Sequence, residues 1–180
     1  MGLTAGQEVL LHIPMSNLHE RPLGDGALTE DMSEQELRTS LASSLNSTPG
    51  ARGINNHMGS RFTSDPIGMD IVMRELKRRG LLFLDSRTSG RTVGASIALA
   101  NDVPFTQRNI FLDNVPTVEA INKQLRRMEI FAKRNGYAVA IGHPRDATIT
   151  ALSQWLAVMA EKGFVQVPIS TIVARQHKFN

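Results

Sequence analysis

Four polar residues, His57, Asp85, Asp113 and His143, recur at intervals of 28, 28 and 30 residues, and each follows a short apolar run. An interval of that length holds one strand, one helix and two turns. The repeat therefore predicts an α/β chain of parallel strands joined by helical crossovers. Six runs read as strands: 8–13, 51–54, 81–84, 109–112, 137–141 and 164–167. No self-similarity extends beyond the period, so the architecture repeats without the sequence being a solenoid.

The segments between carry helix signals. Ser33-Glu34-Gln35-Glu36 is a capping box, with Leu37, Leu41 and Leu45 at helical spacing behind it. Asp65-Pro66 is an N-cap followed by a proline at the first helical position. Ile67, Ile71, Val72 and Leu76 are the expected apolar stripe, and Gly80 is the stop. Further helices are expected over 92–100, from Thr117 to about Arg134 before Asn135-Gly136, and over 147–162 with Leu152, Leu156 and Met159 inward. Residues 15–31 read as a long loop broken by Pro22, Gly24 and Gly26. No linker or low-complexity segment interrupts the chain, so residues 1–180 read as one domain.

Composition narrows the function classes. The absence of cysteine removes disulfides, thiolate metal sites and a cysteine nucleophile. A net charge of +3, with seven Phe, one Tyr and one Trp, is too little for a basic, aromatic nucleic-acid face, so no nucleic-acid partner is expected. No run is long enough for a transmembrane segment, and the first residues lack the basic-then-apolar pattern of an export signal.

Parallel strands deliver their C-terminal ends to one face, where α/β proteins build their sites. His12, at the end of run 8–13, joins His57, Asp85, Asp113 and His143 there. Imidazoles and carboxylates converging in this way suit a divalent metal, most naturally zinc. The stretch Gly53 to Asp65 adds Asn55, Asn56, Ser60 and Arg61 around His57. Each residue also has a structural alternative. The Asn and Gly residues could only shape a turn, and Asp85 and Asp113 could cap turns or pair with Arg87 and Arg108. His19 and His177 read as solvated, and Trp155 and the methionines as packing.

Glu8 to Met15, Gly53-Ile-Asn-Asn-His-Met-Gly-Ser-Arg-Phe-Thr63, Phe83 to Thr88, Asn109 to Asn114 and Ala140-Ile-Gly-His-Pro144 together resemble the divergent polysaccharide deacetylase family. The resemblance covers almost the whole chain. It implies a parallel-strand (β/α) barrel of the NodB type and metal-dependent hydrolysis of N-acetyl groups on an envelope glycan. By the same resemblance His12 and His57 are metal ligands, with a divalent metal such as zinc as cofactor. His143 is the general acid, and Asp85 and Arg87 orient catalytic groups. Asn55, Asn56, Ser60, Arg61 and Asp113 are the expected substrate-binding set. The family is one of the bacterial envelope, which places the expected location in the periplasm or cell envelope.

Two departures stand out. Ser16 occupies the place of a stronger ligand, and no strand ending in paired acids precedes residue 8. The expectation is an N-terminally incomplete barrel with an exposed sheet edge, and negligible deacetylase activity in the chain as written. The alternative expectation is a non-catalytic glycan- or partner-binding protein on the same scaffold.

Overall fold

Every strand pairing among the described residues is parallel, as the βα repeat requires. The computed structural model describes residues 6–19 and 21–177, with side chains through residue 176. The contacts divide the chain into two compact units: residues 1–107 with 168–180, and residues 108–167.

The first unit holds a four-stranded sheet in the order β1 (Leu10–Met15), β2 (Gly53–Met58), β3 (Leu82–Asp85), β4 (Phe105–Gln107). Ile13, Met15, Ile54 and Phe83 are fully buried on one side of it. They pack in one core with Leu37 and Leu41 of α1 (Glu34–Asn46) and Met69, Val72, Met73 and Leu76 of α2 (Pro66–Arg79). Each such side chain contributes about 1.5–3 kcal/mol by leaving water. A short α3 (Gly94–Ala100) follows β3, and an α6 (Ile169–His177) returns to this unit, where the Glu8 carboxylate accepts from the Ser170 N–H at 2.9 Å.

The helix ends follow the sequence signals closely. Ser33 and Glu36 form the reciprocal capping box, Asp65 accepts from the N–H groups of Ile67 and Gly68, and Gly80 closes α2 at φ 66°. Ile71, Val72 and Leu76 face inward as expected, joined by Met69 and Met73, whereas Ile67 is 73% exposed. Ile67 directly follows Pro66 in the first turn of α2.

Two strands run further than their apolar runs. β1 passes through Pro14 and ends at Met15, because Pro14 faces away from β2, where its carbonyl accepts from the Leu28 N–H at 2.9 Å and no ladder bond needs its missing N–H. β2 continues through Asn55, Asn56 and His57 to Met58, so the polar cluster expected as a turn is itself strand.

The second unit is smaller. β5 (Ile110–Phe111) pairs with β6 (Ala140–Ile141), and α4 (Val118–Asn135) packs on α5 (Asp146–Val158). Leu112, Ile121, Leu125 and Ala151 form its core, with Leu152 and Trp155 packed against it. Both strands are shorter than 109–112 and 137–141. The Val139 N–H donates to the Asn109 side chain at 2.8 Å, so regular pairing starts one residue later. Leu156, expected inward, is 41% exposed, because α5 ends at Val158 and the chain then turns to Gly163. The Trp155 indole and Lys162 both donate to Glu129 at 2.7 Å, tying α5 and the following turn to α4.

The expected strand 164–167 is not one. The Phe164 N–H returns to the Met159 carbonyl, Val165 is 79% exposed, and Pro168 leads directly into α6. Conversely β4 was not legible, since three residues after Pro104 carry too little alternation to register.

Glu75 on α2 is the most strongly paired carboxylate of this unit. Arg78 donates to it twice, at 2.7 and 2.9 Å, Arg79 once at 2.6 Å, and Arg38 of α1 lies 3.8 Å away. The Arg78 hydrogen bonds hold its carboxyl down to about 2, against the upward push of burial and with further help from Arg79. The sign follows from a depressed carboxyl. Glu75 contributes its full stabilisation above 4.5, its ordinary value, and loses it as pH falls from there towards about 2. Urea unfolding of Glu75→Gln should show a loss on the order of 2 kcal/mol at pH 7, discounted for the exposed arginines, and a flatter acid limb than the parent.

A second expectation concerns Gly53, where a Cβ would stand 2.1 Å from the Leu82 carbonyl oxygen. Gly53→Ala must wedge β2 from β3. It should cost about 3 kcal/mol or more in urea unfolding, larger than an ordinary surface Gly→Ala change.

Candidate functional site

Alternation along β2 decides which residues meet. In the parallel register His12 lies beside Asn55 and Pro14 beside His57, so His12, Asn55 and His57 share the face opposite the Ile13 and Ile54 core. The His12 Nε2 and His57 Nδ1 atoms are 3.0 Å apart, and the rings meet edge to face at 4.9 Å between centroids. His12 Nδ1 lies 3.0 Å from Asn55 Oδ1, and Asn55 Nδ2 donates to Ser86 Oγ at 3.0 Å.

Asn56 points the other way. It is 1% exposed, accepts from the Ser86 N–H at 2.8 Å and donates to the Met58 carbonyl at 2.7 Å. Expected to bind substrate, it instead stitches the end of β2 to the end of β3. Met58, at φ 56°, holds a left-handed conformation that a non-glycine residue rarely adopts, and its carbonyl also accepts from Thr88 at 2.6 Å.

Asp85 is likewise closed to solvent, at 0% exposure, taking the Thr92 hydroxyl and the Arg87 N–H at 2.7 Å each. It shapes the loop after β3, and Arg87 sits in that loop, exposed and at φ 49°. Ser60 and Arg61 hold the loop after β1. Ser60 Oγ accepts from the Leu18 N–H at 3.0 Å, the Arg61 N–H donates to the Ser16 carbonyl, and Arg61 pairs with Glu30 at 3.4 Å. Ser16 is buried and donates to Glu30 at 2.5 Å, a partner that the sequence did not suggest. His19 is exposed, and the side chain of His177 lies outside the described residues.

In the second unit Asp113 and His143 form a dyad. Asp113 is 1% exposed, accepts from the His143 N–H at 2.8 Å and the Thr148 hydroxyl at 3.2 Å, and lies 3.1 Å from His143 Nδ1. Its own carbonyl accepts from Arg145 at 3.2 Å. Burial pushes the Asp113 carboxyl up. The hydrogen bonds from the His143 backbone, its ring and Thr148 outweigh burial and hold the carboxyl below its ordinary value. An ionised carboxylate only accepts, so His143 Nδ1 carries the proton between them and Nε2 is the ring nitrogen turned away. Asp113, expected on substrate, is in position to orient His143 instead.

The His12–His57 pair fits a metal in part. Two imidazole nitrogens bound tetrahedrally to zinc stand about 3.3 Å apart, a few tenths of an ångström from the separation here. Among the described residues no third His, Cys, Asp or Glu completes a group of three.

A sequence model of the divergent polysaccharide deacetylase family matches residues 2–173. The uncharacterized protein YibQ of Escherichia coli K12 is 43% identical over 83% of this chain and 47% of its own length. An uncharacterized protein of Haemophilus influenzae is 36% identical over 87% of this chain and 56% of its own. The chain thus spans about half the length of the curated relatives it matches. The crystal structure of an uncharacterized protein from Agrobacterium tumefaciens C58 superposes with a TM-score of 0.91 at 29% identity, covering 94% of this chain and 70% of that one.

The dyad generates a pH expectation. A depressed Asp113 stabilises the fold fully above 3.8, its ordinary value, and ceases to do so as pH falls below it. Asp113→Asn keeps the shape but removes the charge that holds three donors. Chemical denaturation should show a loss of about 1–3 kcal/mol at neutral pH that shrinks as pH falls below 3.8.

Proposed function

The chain belongs to the divergent polysaccharide deacetylase family, and from that membership we propose a role in removing N-acetyl groups from a glycan of the bacterial envelope, with the periplasm as its place of action. The observation that carries the proposal is the His12–His57 pair, two imidazole nitrogens 3.0 Å apart on one face of a parallel sheet. In this reading the pair holds a divalent metal, zinc being the natural choice for imidazole ligands. A metal there supplies Lewis acidity, polarising an acetamide carbonyl and lowering the pKa of a water towards roughly 7.

The residues supply the rest. In the second unit Asp113 at Nδ1 keeps the His143 ring from turning and stabilises its charged form, the arrangement that suits a general acid. Asn55 and Ser86 hold the His12 ring, and Asp85 with Arg87 shapes the rim after β3. A catalytic zinc wants three protein ligands, and here the described residues offer two. The pair alone therefore binds metal modestly. General-base assistance is typically worth about 10²–10⁴ in rate, and among the described residues no carboxylate joins this pair as a third member. The 180-residue chain is accordingly a slow deacetylase or none. The same observation favours a second reading, a glycan- or partner-binding protein that keeps the scaffold without turnover.

Two measurements decide. Zinc titration of the chelator-treated chain by calorimetry should give one site per chain, lost in His57→Ala. Acetate release from an N-acetylated chitooligosaccharide should be near background for this chain. Oligosaccharide binding with no zinc site would select the second reading. Rapid zinc-dependent turnover that survives His57→Ala would sink the assignment of the metal to this pair.

A further inference from the structure

Neighbouring residues of β2 both reach Ser86, the first residue past β3, from opposite faces of the sheet. Asn56 accepts from the Ser86 N–H at 2.8 Å, and Asn55 donates through Nδ2 to the Ser86 hydroxyl at 3.0 Å. With its nitrogen so engaged, Asn55 has one end left for His12, its carbonyl oxygen, 3.0 Å from His12 Nδ1. A carbonyl oxygen only accepts, so Nδ1 must carry the proton. A neutral imidazole has one N–H, which makes His12 Nε2 the lone-pair nitrogen. That lone pair faces His57 Nδ1 at 3.0 Å.

We propose that Asn55, held by Ser86, is a positioning residue that fixes His12 as the Nδ1–H tautomer and so aims the Nε2 lone pair at the position between the two rings. Its consequence for metal affinity rests on the function proposed above, while the proton assignment does not. Two lone pairs cannot face each other at this separation unless a proton or a cation lies between them. In the metal-free chain His57 donates from Nδ1. With a cation bound, both nitrogens turn lone pairs to it. The opposite amide orientation of Asn55 would place an N–H on His12 Nε2 and remove His12 from any ligand set. Outer partners of this kind are commonly worth 10–100-fold in metal affinity.

The test reads the proton directly. Long-range ¹H–¹⁵N correlation of the histidine rings in the chelator-treated, ¹⁵N-labelled chain, at about pH 8 where ordinary imidazoles are neutral, should show His12 as Nδ1–H. Asn55→Asp keeps an acceptor and should keep that pattern. Asn55→Leu removes the acceptor and should move His12 to Nε2–H or a mixture. Ser86→Ala lets the amide turn and should also give a mixture. It serves as the second variant if Asn55→Leu does not fold. By competition titration Asn55→Leu should bind zinc about 10–100-fold more weakly than the parent, with Asn55→Asp restoring most of the loss. An Nε2–H pattern for His12 in the parent chain overturns the proposal, as does an unchanged pattern in both Asn55→Leu and Ser86→Ala. The expected tautomers in a chain with no zinc affinity would uphold the positioning role and remove the metal reading alone.

Discussion

The candidate metal site depends on the register of β1 against β2. With His12 beside Asn55 and Pro14 beside His57, three polar side chains stand on one face while Ile13, Met15 and Ile54 enter the core from the other. A slip of one residue would exchange the faces, burying the imidazoles and exposing the apolar set. The buried side chains therefore enforce the site geometry. Gly53 lets β3 approach at the start of β2, and Asn56 fastens the strands at the other end. The segment between is held at both ends in the position where its two polar faces diverge.

Buried carboxylates divide by the company they keep. Glu75, Asp85 and Asp113 are all closed to solvent, and each has donors for its oxygens, as burial of charge demands. Glu75 takes guanidinium groups of its own helix and ties α2 to Arg38. Asp85 takes a hydroxyl and a backbone N–H within its own loop, so it builds local shape. Asp113 alone of the three takes an imidazole, and it also holds that residue's backbone N–H. Fixing both the main chain and the ring of one residue is what a proton-transfer group needs from its support. A βα scaffold is shared by many unrelated activities, so the role of a chain like this one has to be argued from such side-chain arrangements.

The sequence alone determined the α/β class, the parallel pairing and most helix ends. These follow from local causes: a period of about 28 residues, capping at Ser33 and Asp65, and a left-handed glycine at Gly80. The family was legible for the same reason, because its motifs are contiguous runs. His12, His57, Asp113 and His143 could be picked out as chemistry-bearing residues at the ends of apolar runs. What each one does was decided by contacts between residues roughly 30 to 45 apart in the chain, which no local pattern encodes. Asn55 and Asn56 are the same residue type side by side, yet strand alternation sends one to His12 and the other into a buried stitch. Likewise Asp85 and Asp113 look alike in sequence. Only the tertiary structure places a threonine against the first and a histidine against the second, because the identity of a buried carboxylate's donors depends on which loop folds over it.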